Sequence, residues 1–93
     1  MLVLPAEVTH AQATAALRTL LQELRLQTGS AVVVDASALQ RFDSSALAVL
    51  LECRRESARL GRAFAVRGLP QRLAALAGLY GVAELLPVPL KAI

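Results

Sequence analysis

In the first third of the chain, apolar residues recur at three- and four-residue steps: Ala13, Ala16, Leu17, Leu20, Leu21 and Leu24. Arg18, Gln22 and Arg25 fall elsewhere on the same wheel, so the spacing predicts an amphipathic helix. Thr9 followed by Gln12 fits a capping box that would satisfy free N–H groups at its start. The helix should stop before Thr28-Gly29-Ser30, with Gly29 as a left-handed cap. The run Ala31-Val32-Val33-Val34 is continuous and β-branched, which predicts a strand buried on both faces of a helix-flanked sheet. Shorter strands are expected at Leu2–Leu4, closed by Pro5, and at Ala63–Val66, ending near Arg67-Gly68.

Between the last two strands, Ser37 to Phe42 reads as a loop, and a second helix runs from about Asp43-Ser44 to Gly61. Its core stripe is Ala46, Val49, Leu50, Cys53, Ser57 and Leu60. Leu47 and Leu51 widen the apolar arc to roughly 200°, against the ~100° that packing on a sheet requires. That flank is either a patch for a partner or the seat of a flanking helix. Pro70 suits the first position of a third helix, with Leu73, Leu76, Ala77 and Tyr80 as its buried stripe and Gly81 as its stop. Val82 to Leu86 would add a last turn before Pro87 and Pro89 break regular structure. The order strand, helix, strand, helix, strand, helix predicts a single α/β domain over residues 1–93, a small, mostly parallel or mixed sheet flanked by three to four helices.

Composition narrows the functional classes. The 93 residues are 56% hydrophobic and 18% charged, with aromatics at 3%, so the chain is globular and rich in aliphatic surface. The longest apolar run, Ala46 to Leu51, falls far short of the roughly 18–20 residues that cross a bilayer. The first residues, Met1 to Pro5, carry neither a basic segment nor a long apolar one, so no secretory signal is expected. A lone Cys53 fits a reducing compartment, and one His with one Cys cannot supply a usual zinc set. No cofactor or metal is expected. The net charge of +3 is too mild, and the aromatics too few, to point to nucleic acid.

The chemistry-bearing stretch runs from Val33-Val34-Asp35 to Asp43-Ser44-Ser45-Ala46-Leu47. A strand delivers a loop, and the loop delivers a helix start. Asp43 or Ser44 can cap that helix, and a hydroxyl there sits beside free N–H groups at the positive end of the helix dipole. A phosphate would be stabilised at that place and would repel acidic partners. The same residues equally make an ordinary helix start. Asp35, a single carboxylate at a strand end, reads as a loop anchor, and His10 as a solvated first-turn residue. Cys53 reads as core, and Arg54, Arg55, Arg59 and Arg62 as a solvated face offset by Glu52 and Glu56. No nucleophile–base pair or phosphate cradle is visible, so catalytic residues are not expected.

The Val-Val-Asp strand end, the loop, Asp43-Ser44-Ser45-Ala46 and the Leu-rich helix together resemble the STAS family (sulfate transporter and anti-sigma factor antagonist domain). Gly61-Arg62 before the third strand and the segment Leu76-Ala77-Gly78-Leu79-Tyr80-Gly81-Val82-Ala83-Glu84-Leu85-Leu86-Pro87 extend the likeness. That last segment looks like the STAS subunits of Mla-type phospholipid transporters, which maintain outer-membrane lipid asymmetry. The resemblance implies a STAS-type fold and a non-enzymatic cytoplasmic subunit that binds and regulates the ATPase of an ABC transporter. It would touch the inner face of the inner membrane only through that complex. It implies a partner surface made of Asp43, Ser44, Ser45, Ala46, Leu47 and Leu51, with the hydroxyl of Ser44 at the ATPase contact. The alternative it implies is an anti-sigma factor antagonist, met by an anti-sigma factor kinase that phosphorylates Ser45, with Ser44 the second choice. The family commonly carries Gly at the position of Ala46, and it opens with two strands where only Leu2–Leu4 is expected here.

Overall fold

The computed structural model describes residues 1–89. Five strands and three helices follow in the order β1 (Leu2–Val3), β2 (Glu7–Val8), α1 (His10–Leu26), β3 (Ala31–Asp35), β4 (Arg41–Phe42), α2 (Ser45–Arg59), β5 (Ala63–Arg67) and α3 (Gln71–Leu79). A 3-10 turn at Ala83–Leu85 supplies the expected last turn. The main sheet has the order β1-β3-β5 and both its pairings are parallel. Leu4 lies past the end of β1, yet its N–H still donates to the carbonyl of Asp35 at 2.9 Å.

The Ser37–Phe42 segment is not wholly a loop. Its last two residues form β4, which pairs in parallel with β2, matching Glu7 to Arg41 and Val8 to Phe42. The N-terminal segment therefore carries two strands, one in each sheet. Strands of two residues leave no periodicity to read, so β2 and β4 exist through their partners rather than through their own pattern.

Strand β3 is not buried on both faces. Val32 and Val34 are fully covered, whereas Ala31 is exposed and Val33 only half-buried. Topology gives the reason. Strand order 1-3-5 advances in one direction, and crossovers of one hand then place α1 and α2 on the same side of the sheet. Leu2, Val32, Val34 and Val66 face those helices and are at most 1% exposed. Val3, Ala31, Ala63 and Arg67 stand exposed on the opposite face, beside half-buried Val33 and Ala65.

Beneath the helices lies one core that joins Leu20 and Leu24 of α1, Val49, Leu50 and Cys53 of α2, and Leu73 and Ala77 of α3. Ser57, buried with them, donates its hydroxyl to the Cys53 carbonyl at 2.8 Å. Helix α1 begins at the expected capping pair, where Gln12 Oε1 accepts the Thr9 N–H at 2.9 Å. It ends at Leu26, so the cap is extended Gln27 rather than Gly29. Helix α2 ends at Arg59, and Gly61 at φ 72° completes a Schellman closure in which Arg62 N–H reaches the Ser57 carbonyl at 2.8 Å. Pro70 is the residue before α3 rather than its first. Tyr80 is 59% exposed instead of buried, because α3 stops at Leu79 and the following turn carries the ring outward.

Candidate functional site

The parallel pairing of Val8 with Phe42 determines what stands next to what. Each strand runs straight into a helix, so the starts of α1 and α2 are set side by side. The Asp43 carboxylate spans them. One oxygen accepts the His10 N–H at 3.0 Å, and the other accepts the Ser45 N–H at 2.8 Å. These two bonds, to His10 first and then to Ser45, hold the Asp43 carboxyl below the usual carboxylate range. A single acidic side chain thus caps α2 and also satisfies a free donor of α1, thirty-three residues away in sequence. No acidic residue occupies the first turn of α1, α2 or α3.

Ser44 takes the N-cap position with helical backbone angles and makes no capping bond with its side chain. Its hydroxyl is exposed, and Ser45 is half-buried. Ala46 is fully buried, and Leu47, at 3% exposure, belongs to the core. Leu51 is half-buried and packs against that core. The expectation that Leu47 and Leu51 form an open patch is therefore corrected at Leu47, which the domain covers itself, while Leu51 keeps a rim in solvent. The face of α2 that reaches solvent from the same corner is Ser44, Ala48, Glu52 and Arg55, with the rim of Leu51 beside it.

Away from the corner, the structure matches local chemistry. Asp35 Oδ1 accepts the Ser37 N–H at 2.9 Å, and its hydrogen bonds to Ser37 lower its pKa, as befits a loop anchor. Burial pushes the Cys53 thiol up to about 12, which makes it inert as a nucleophile. Glu56 accepts from Arg25 at 2.8 Å and from Arg59 at 2.9 and 2.8 Å, tying the far end of α1 to α2. Arg62 adds a bond to the Leu24 carbonyl at 2.8 Å. Among the described residues no group of three His, Cys, Asp or Glu side chains could hold a metal ion. None of their helices is long and apolar enough to cross a membrane.

Sequence reasoning missed two surfaces. One is the reach of Asp43 to α1, which depends on the β2–β4 register. The other is the outer side of α3, where Ala74, Ala75, Gly78, Leu79 and Tyr80 are exposed, Leu79 by 79%. A signal for the second was present, since no charged residue occurs between Arg72 and Glu84. A helix apolar on all sides cannot hide every side in a domain this small.

The family model described as "Mlab, STAS domain" matches residues 1–87. The chain belongs to the STAS family. No curated protein matches it. The match reaches back to Met1, so the N-terminal strands and α1 fall within it too. STAS domains are generally non-enzymatic binding modules.

Proposed function

We propose that this STAS domain is a non-enzymatic subunit that docks on the ATPase of an ABC-type phospholipid transporter and regulates or stabilises it. In that role it works at the cytoplasmic face of the inner membrane and serves outer-membrane lipid asymmetry. The observation that carries the reading is the Asp43 clasp. It fixes the starts of two helices while leaving Ser44, at the start of α2, exposed. A surface ordered before contact loses little freedom on docking. By touching one arrangement of the ATPase better than another, such a surface shifts the balance between them.

Leu47 is core, so the docking face is Ser44, Ser45 and the outward line of α2 through Ala48 and Leu51. The test is co-purification with the transporter's ATPase from co-expressing cells. Ser44→Trp and Ala48→Arg should each abolish capture while leaving the thermal melt of the isolated domain unchanged. Full capture with both variants would sink the reading.

A second reading uses the same corner. An anti-sigma factor antagonist would take phosphate on Ser45, beside N–H groups at the positive ends of α1 and α2. The greater exposure of Ser44 favours that neighbour as acceptor. Mass spectrometry of protein from its native cells decides between them, since phosphate on either serine promotes this reading.

A further inference from the structure

Arg72 lies in the first turn of α3, exposed, with its guanidinium carbon 5.3 Å from the centroid of the Phe42 ring. Phe42 is half-buried, packs on the core and immediately precedes Asp43. The arginine is therefore held against the turn that carries Ser44, by a ring that cannot move far. Stacking on an aromatic face fixes a guanidinium plane and leaves the N–H groups around its rim free to donate. Four other arginines have carboxylate partners inside the domain, Arg25 and Arg59 on Glu56, Arg41 on Glu7 and Arg55 on Glu52, and of the rest only Arg72 rests on an aromatic ring. Among the described residues the Arg72 guanidinium has no carboxylate within 4.0 Å and makes no hydrogen bond. Two acidic side chains of the β2–β4 corner are already engaged, Asp43 by two N–H groups and Glu7 by Arg41.

We infer that Arg72 extends the docking surface of the Ser44 corner, and that the partner polypeptide seats an aspartate or glutamate side chain against its guanidinium. The inference rests on the docking reading above. A planar fork with free donors suits a carboxylate, which accepts two parallel bonds from it. Arg72 stands in the first turn of α3, which carries no acidic residue, so the free N–H groups at that helix start also favour a negative group there.

The experiment measures binding of the purified ATPase subunit of the phospholipid transporter to the full chain at low and high salt, for wild type, Arg72→Gln, Arg72→Glu and Ser44→Trp. Arg72→Gln should weaken binding about tenfold and Arg72→Glu more, and wild-type affinity should fall with salt while that of Arg72→Gln hardly changes. Far-UV circular dichroism keeps the comparison to folded protein. If Ser44→Trp loses binding while Arg72→Glu binds like wild type, the docking reading stands and this inference falls. If Arg72→Gln weakens binding but keeps the wild-type salt dependence, the contact is packing rather than charge and the inference also falls. If Ser44→Trp and Arg72→Glu both bind like wild type, the docking reading itself is wrong.

Discussion

Replacing Leu47 by alanine separates the two roles that its place on α2 allows. The side chain is 3% exposed and sits in the core cluster, three residues before fully covered Leu50 and beside fully covered Ala46. A buried leucine cut back to alanine loses transfer free energy and leaves a cavity, together about 2–5 kcal/mol. A domain of this size holds on the order of 5–14 kcal/mol in all, so this one change removes a large part of it. At roughly 4–8 °C per kcal/mol, the melting temperature should fall by about 8 °C or more. Ala48, the next residue, is exposed, and Ala48→Arg should stay within about 0.5 kcal/mol of wild type. Urea unfolding followed by circular dichroism at 222 nm measures both, with an unchanged slope as the check that the unfolding reaction is the same. A loss under about 1 kcal/mol for Leu47→Ala would mean that the side chain stands in solvent and that the flank of α2 is open after all. The result also bears on docking experiments, because a charge placed at Leu47 would unfold the domain and say nothing about partners.

Two further perturbations probe what holds the fold. Glu56, gripped by Arg59 and Arg25, has its pKa lowered from 4.5 to about 2, so its contribution to stability is fully present above pH 4.5 and is lost as pH falls from there toward 2. Glu56→Gln should therefore flatten the acid limb of the stability profile in that window, and superimposable acid transitions would refute the pairing. At Gly68, φ is 68° and an added Cβ would meet the Ser37 Cβ at 2.7 Å, so Gly68→Ala should cost more than the ~1–2 kcal/mol of the left-handed backbone alone. Gly78, inside α3 with nothing within 4 Å of an added Cβ, is the control: Gly78→Ala should gain about 0.5–1 kcal/mol, and equal melts for the two variants would overturn the contrast.

Helices α1 and α2 were legible because an amphipathic period over fifteen or more residues is a strong signal, and the structure places them within two residues of where the pattern does. The same counting overreached at Leu47. A wide apolar arc means an open patch only if the helix rests on a single flat neighbour, and α2 sits in a core that also receives side chains from α1 and α3. Val33 failed in the opposite sense. A continuous valine run is the mark of a strand covered twice, yet coverage depends on whether the strand order reverses, and β1-β3-β5 does not. Tyr80 failed by one residue, since a stripe drawn on a helix loses its meaning where the helix stops.

The corner itself illustrates where reading a chain in one dimension runs out. Asp-Ser-Ser before an apolar run announces a cap, and Asp43 does cap α2. Nothing in that tripeptide says that the second carboxylate oxygen belongs to His10. That bond exists because two strands of two residues each, too short to announce themselves, align Val8 with Phe42. The consequence is mechanical. With one oxygen on each helix, Asp43 cannot be replaced by an ordinary capping serine, which reaches only its own helix. Asp43→Ser should keep α2 intact by circular dichroism yet speed hydrogen exchange at the His10 amide, and unchanged protection there would show that the first helix is held by something other than this carboxylate.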